Sequence, residues 1–185
     1  MRNVTVRLES ITPYSQSHQH EVPKLSGETN DDHEKRTWRE KCNYNEDGFI
    51  YIPAMALKQC LDASAKKLGI QIPGKGKKTY TKFFEADVIC DHDVVLAARK
   101  DTVASVRVSC NVDGVRGSGK RVWRTFPVIP QWEADAAFTI LDDTVTKEIF
   151  ERVLKTAGTS IGIGRFKPQK GGLNGRFKPT KFTWN

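Results

Sequence analysis

No apolar run in this chain approaches the ~20 residues that a membrane-spanning helix requires. The opening MRNVTVRLES alternates like a strand and lacks the apolar centre of a secretory signal, so cytoplasmic residence is the expectation. Cysteine is scarce and scattered: Cys42, Cys60, Cys90 and Cys110 form no C-x-x-C pair and have no histidine at finger spacing. That argues against a disulfide framework or a zinc ribbon, and leaves buried free thiols as the ordinary reading. GKGKK lacks the G-x-x-x-x-G-K-[ST] spacing of a phosphate loop. No paired-carboxylate set stands out either, since Asp142–Asp143 reads as the entry to a helix. Neither a metal nor a cofactor is expected.

Acidic residues are missing from three windows, Gly74–Lys82, Gly114–Arg124 and Arg165–Lys181, which together hold fourteen of the thirty Lys and Arg. The rest of the chain carries sixteen basic against twenty-two acidic residues, although the whole is +8. Such polarisation suits a polyanionic partner on one face. No window reads as an amphipathic helix, so a membrane partner is not expected. Each window is also rich in glycine or aromatics, unlike a plain solvated charge run.

Strongest of the three is Gly162–Lys181, GIGRFKPQKGGLNGRFKPTK, with five glycines, six Lys or Arg and two Phe. The unit G-R-F-K-P occurs twice and sets Arg165–Phe166 and Arg176–Phe177 at the two ends of one loop. Glycine permits positive φ and close approach; cations bind phosphate oxygens, and aromatic rings stack on bases. The expected contacts are Arg165, Lys167, Lys170, Arg176 and Lys178 on phosphates, the amides of Gly171 and Gly172 beside them, and Phe166 under a base. Phe177 has two readings, a second base platform or a core plug beneath the loop. Lys75, Lys77 and Lys78, with Arg116, Lys120, Arg121 and Arg124, would extend the same track. Trp123 is either a platform or part of a hairpin core. A solvated basic hairpin is the plain alternative for the whole loop.

Hydrophobic periodicity predicts a strand at Asn3–Leu8, a polar loop from Ile11 to Asn30 and a short helix within Asp31–Lys41. A strand follows at Phe49–Ile52, and then a helix from Pro53 to the stop at Gly69. Phe83–Leu96 reads as one or two strands, 103–128 as a hairpin and Glu133–Leu141 as a strand. A second helix is expected over Val145–Ser160 with Thr144 as cap, and a last strand at Phe177–Trp184. The order β-α-β-β-α-β is that of a modified ferredoxin-like, RRM-like α+β fold. It predicts one domain over residues 1–185, with an insertion at about 11–47 and an extra β-hairpin. Helices would cover one sheet face, leaving the other face or its rim for single-stranded nucleic acid.

The helix entered through Y-I-P-A-M-A-L-K, together with G-I-G-R-F-K-P-x-x-G-G before the last strand, resembles the RAMP superfamily. These are ferredoxin-fold RNA-binding proteins of CRISPR effector complexes. The resemblance is to the backbone subunit that polymerises along guide RNA, whose glycine-rich loop follows the last helix and contacts RNA. The chain is also similar to small bacteriophage and prophage proteins. What this implies is a non-enzymatic protein that binds single-stranded nucleic acid, RNA before DNA, and self-associates along the strand. Some RAMP relatives cut RNA with a histidine near the first strand, and His18 and His20 are the candidates for that alternative. A further alternative is a basic face that binds an acidic host protein.

Overall fold

Val4, Val6 and Leu8 alternate with Asn3, Thr5 and Arg7, so strand β1 (Arg2–Ser10) buries one row and leaves the other in solvent. This computed structural model describes residues 1–112, 117 and 119–185. After β1 come β2 (Tyr14–Ser15), α1 (Asn30–Thr37), β3 (Phe49–Ile52), α2 (Ala54–Leu68) and α3 (Thr81–Asp87). The chain continues with β4 (Val88–Cys90), β5 (Val94–Arg99), β6 (Ala104–Asn111), β7 (Arg121–Ile129), β8 (Glu133–Ile140), α4 (Lys147–Thr156) and β9 (Phe177–Trp184).

The main sheet has the order β4-β8-β1-β9, with every neighbour antiparallel. Counting only these four strands and the helices α2 and α4, the path is β-α-β-β-α-β with spatial order 2-3-1-4. That is the ferredoxin-like α+β topology. β3–β5 and β2-β7-β6 form two smaller sheets inserted into this frame.

Both core helices lie on the sheet face lined by Val6, Ala136, Phe138 and Phe177, and bring Leu57, Leu61, Phe150 and Leu154 to it. Phe138 meets Phe150 edge-on at 5.4 Å between centroids, and burying each such ring contributes about 1.5–3 kcal/mol. Helix ends follow local chemistry. Gly69 at φ 55° stops α2, and Asp93 from the β4–β5 turn accepts the Ala54 amide at 2.7 Å to cap its start. Ser64 Oγ donates to the Val153 carbonyl and Cys60 Sγ to that of Ala157, so α2 and α4 run antiparallel.

Three expectations need correction. The stretch expected to be strand from Phe83 begins as helix α3, because Phe84 is fully buried and its carbonyl accepts from Lys58 of α2. The cap of α4 is Thr146, whose hydroxyl accepts from Ile149, while Thr144 donates its amide to Asp142. The polar loop from Ile11 contains strand β2, with Tyr14, Ser15 and Gln16 buried and Ser15 Oγ bonded to the Pro127 carbonyl. On the open sheet face, Arg7 pairs with Glu133 at 2.8 Å and Lys178 with Glu9 at 3.2 Å. Those two cations are balanced, whereas Lys181, opposite Arg7 in register, is exposed and makes no ion pair among the described residues; the denser cluster of cations lies at the rim.

Candidate nucleic-acid interface

Helix α4 ends in a wider turn, Ala157–Ile161, because Gly158 lets the Phe177 carbonyl lie where a Cβ would stand 2.1 Å away. The glycine-rich loop then closes at a neck. Ile163 donates to the Gly175 carbonyl at 3.0 Å, and Gly175 donates to that of Pro13 at 2.7 Å. Within the loop, Asn174 donates to Phe166 and Gly172 to Lys167. A Cβ on Gly172 would stand 1.8 Å from the Phe166 carbonyl oxygen. Gly158, Gly172 and Gly175 therefore admit the chain's own backbone. The amides of Gly171 and Gly172 are committed to Pro168 and Lys167, so they are not free donors for a phosphate, contrary to the sequence expectation.

This folding of the loop on itself presents one Arg–Phe pair. The Arg165 amide is bonded to the Ser15 carbonyl, and its guanidinium lies 3.5 Å from the Phe126 ring centroid and 4.4 Å from that of Phe166. Phe166 is 44% exposed and takes φ 57°, the one positive value among the described non-glycine residues. Such a conformation costs of order 1–3 kcal/mol and persists only where its surroundings impose it. The Arg165 Nε–H is buried with no acceptor among the described residues. Burial and the adjoining charge of Arg124 both work against its ionised form.

This pair lines a groove of about 1380 Å³ together with Lys170, Arg121 and Arg124 of β7, the segment around His18–His20, and the buried Phe126 ring on which Arg165 is stacked. One carboxylate, Glu34, lies among the described lining residues. It is committed to Lys41 and to the Thr125 amide at 2.6 Å. Lys41 also sits 4.5 Å from the Phe126 ring and donates to the Thr125 carbonyl. Burial lowers the Lys41 pKa and the Glu34 contact opposes that. The groove is thus a cationic trough with an exposed aromatic ring on its lip.

Two of the three basic windows contribute to it, through Arg165, Phe166, Lys170, Arg121 and Arg124. Lys120 is exposed near the end of the hairpin, where its carbonyl accepts from Val112; Arg116 lies outside the described residues. Lys167 is half-buried beside the Cys60 thiol, and Lys178 is paired to Glu9. Arg176 donates to the Thr159 carbonyl at 3.1 Å, away from the groove, and Phe177 is a fully buried core residue. The doubled G-R-F-K-P unit is therefore not doubled in space. Trp123 is 57% exposed, beside Arg107, so it is not hairpin core. The third window departs most: Lys75 acts on Asp142, at the end of the sheet where β1 begins. One continuous track through all three windows does not form.

His18 and His20 line the groove, and the His20 ring lies 6.1 Å from His33. Burial, then the charge of Lys41, depress the His20 pKa. Sequence reasoning missed Phe126, Lys41, Glu34 and His33. Lys41 and Thr125 are 84 positions apart, and no local pattern announces such a meeting. Among the described residues no group of three His, Cys, Asp or Glu is placed to hold a metal. No described helix is long and apolar enough to cross a membrane.

No protein-family model matches the chain, and no curated protein matches it in sequence. Among solved structures it is similar to Cmr6 from Pyrococcus furiosus, with a TM-score of 0.50 and 14% identity. The match covers 96% of this chain and 98% of that one. At that identity the likeness speaks to fold alone: a ferredoxin-like α+β architecture along the length of both chains.

Proposed function

We propose that this chain binds single-stranded nucleic acid, RNA before DNA, in the groove between the glycine-rich loop and the β6–β7 hairpin, and performs no chemistry on it. One observation carries the reading. Arg165 is held half-buried against Phe126 and Phe166, beside Arg124, and makes no ion pair among the described residues; the carboxylate that acts on it, Glu34, is already committed to Lys41. A desolvated, unpaired guanidinium next to an exposed ring suits a phosphate and the base attached to it. The RAMP-like fold supports the preference for RNA and side-by-side assembly along a strand. The test is a titration of labelled single-stranded RNA at several salt concentrations, with Arg124→Ala/Arg165→Ala and Phe166→Ala beside wild type. The double variant should lower the salt slope by about 1.4, since each phosphate contact contributes ~0.7 on single strands. Phe166→Ala should cost ~1–3 kcal/mol of affinity. Unchanged affinity in both removes the groove from the site.

A second reading, metal-independent RNA cleavage, is favoured by one feature: His18 and His20 border the same groove as Arg165. A histidine held neutral by burial is suited to accept a proton from a 2′-hydroxyl. Labelled RNA incubated with wild type and with His18→Ala/His20→Ala decides it. Intact RNA in both ends the cleavage reading.

A further inference from the structure

The lysine-rich tip of the loop between α2 and α3, Gly74–Lys78, belongs to neither the groove nor the core. Its location follows from connectivity. β1 advances eight residues from Arg2, which contacts Asp143, to Ser10, about 27 Å at ~3.4 Å per residue. The groove loop is bonded to Pro13 and Ser15 beyond the far end of that strand, whereas Lys75 acts on Asp142 at the near end.

The loop is anchored rather than slack. Ile72 and Tyr80 are each 5% exposed, Ile72 donates to the Lys78 carbonyl at 2.8 Å, and Tyr80 donates to that of Ile70 at 3.1 Å. On this base Lys75, Lys77 and Lys78 are all exposed, next to Lys66 and Lys67 in the last turn of α2. None of the five makes an ion pair among the described residues. The two carboxylates that feel them, Asp142 and Glu85, are already engaged by Thr144 and Lys82. Gly74 and Gly76 have positive φ, and a Cβ on either would meet nothing within 4 Å. That is the reverse of Gly172 and Gly175, whose space is filled by backbone. The amides of Gly74, Gly76 and Lys77 donate to no acceptor among the described residues. No fully exposed ring stands at the tip: Tyr80 is buried, and Phe83 is half-buried against the core with Lys75 5.5 Å from its ring.

Charge and open amides without a stacking ring suit a phosphate backbone and not bases. We infer that this loop is a second phosphate-binding surface, taking the backbone of a nucleic-acid segment other than the one in the groove, so that one molecule bridges two strands. The bridging rests on the proposed function of the groove; the loop's own phosphate contact does not.

The experiment mixes donor-labelled and acceptor-labelled single-stranded RNA with wild type, Lys75→Ala/Lys77→Ala/Lys78→Ala, or Arg124→Ala/Arg165→Ala, reading energy transfer and single-strand affinity together. Wild type should bring the labels together. The lysine variant should still bind a single strand in the groove, with the salt slope for the two-strand complex smaller by about 2 for three lost contacts, and lose the transfer. Transfer equal to wild type in the lysine variant overturns the inference, because bridging then comes from self-association. Absence of transfer with wild type also overturns it. So does binding of wild type to phosphatidylserine vesicles that the lysine substitutions abolish while leaving the RNA salt slope unchanged. Failure of the groove alone would show separately, as unaltered affinity in the arginine variant.

Discussion

Gly172→Ala is the sharpest perturbation of the glycine-rich loop. A methyl group there would meet the Phe166 carbonyl oxygen at 1.8 Å and its carbonyl carbon at 2.2 Å. Relief requires the two strands of the loop to part by more than an ångström. Two hydrogen bonds cross that gap, Asn174 to Phe166 at 3.0 Å and Gly172 to Lys167 at 3.1 Å. At ~0.5–1.5 kcal/mol each, losing both costs about 1–3 kcal/mol. The same movement releases the constraint that holds Phe166 at φ 57° and swings Arg165 off the Phe126 ring. Gly171→Ala is the control: its Cβ has open space, so it pays only for a left-handed alanine at φ 76°, ~1–2 kcal/mol. Urea unfolding and RNA titration on both variants separate the effects. Gly172→Ala should lose tenfold or more in affinity, ~1.4 kcal/mol, while Gly171→Ala binds nearly as wild type. Wild-type affinity and stability in Gly172→Ala would refute the proposed coupling between loop closure and the Arg–Phe pair.

Other perturbations probe the surroundings of the groove. Lys41→Met leaves the largely buried Glu34 carboxylate without its cation and should destabilise by ~3–5 kcal/mol; adding Glu34→Gln should recover most of that in urea titrations. His20 has a depressed pKa in the fold, so below the ordinary value of ~6.5 the unfolded chain takes up a proton that the folded chain refuses. Its contribution is therefore complete above that pH and is lost as pH falls through the interval down to the folded pKa. Melting temperatures at pH 7.5 and 5.5 should show a smaller acid drop in His20→Gln than in wild type. Arg176→Ala removes an exposed bond to the Thr159 carbonyl and should cost ~0.5–1.5 kcal/mol of stability with RNA affinity unchanged, as measured in the same two assays.

The frame of the fold is legible because its periodicities are undiluted. Phe177–Trp184 reads as a strand with the ends it has in the structure, and Pro53 and Gly69 bracket α2 as expected. Thr81–Asp87 misleads because its helix is too short to show a period, and the burial of Phe84 under α2 decides its form. Tyr14 and Gln16 look like loop residues, yet the Gln16 amide donates to the Tyr14 hydroxyl and the Tyr51 carbonyl, which makes both internal. Of the site, the Arg165–Phe166 pair and the hairpin arginines are visible as cations beside aromatics. Its inner wall, Phe126 with Lys41 and Glu34, depends on contacts between distant segments. The separation of Lys75 from the groove follows from the topology itself. In a β-α-β-β-α-β path the first helix runs against β1 and the second runs with it, so the loops that follow them emerge at opposite ends of the sheet.

The neck joining Ile163 to Gly175 has a further consequence for how this chain can vary. Because the crossing is tied there and to Pro13, the sheet and α4 do not sense the length of what lies beyond. Closure entropy rises only slowly with added residues. Past the Arg165 amide tied to Ser15 and the Phe166 ring set against Phe126, the tip 168–173 is therefore the exchangeable part: longer, shorter or differently charged versions can be grafted there while the scaffold beneath keeps its register.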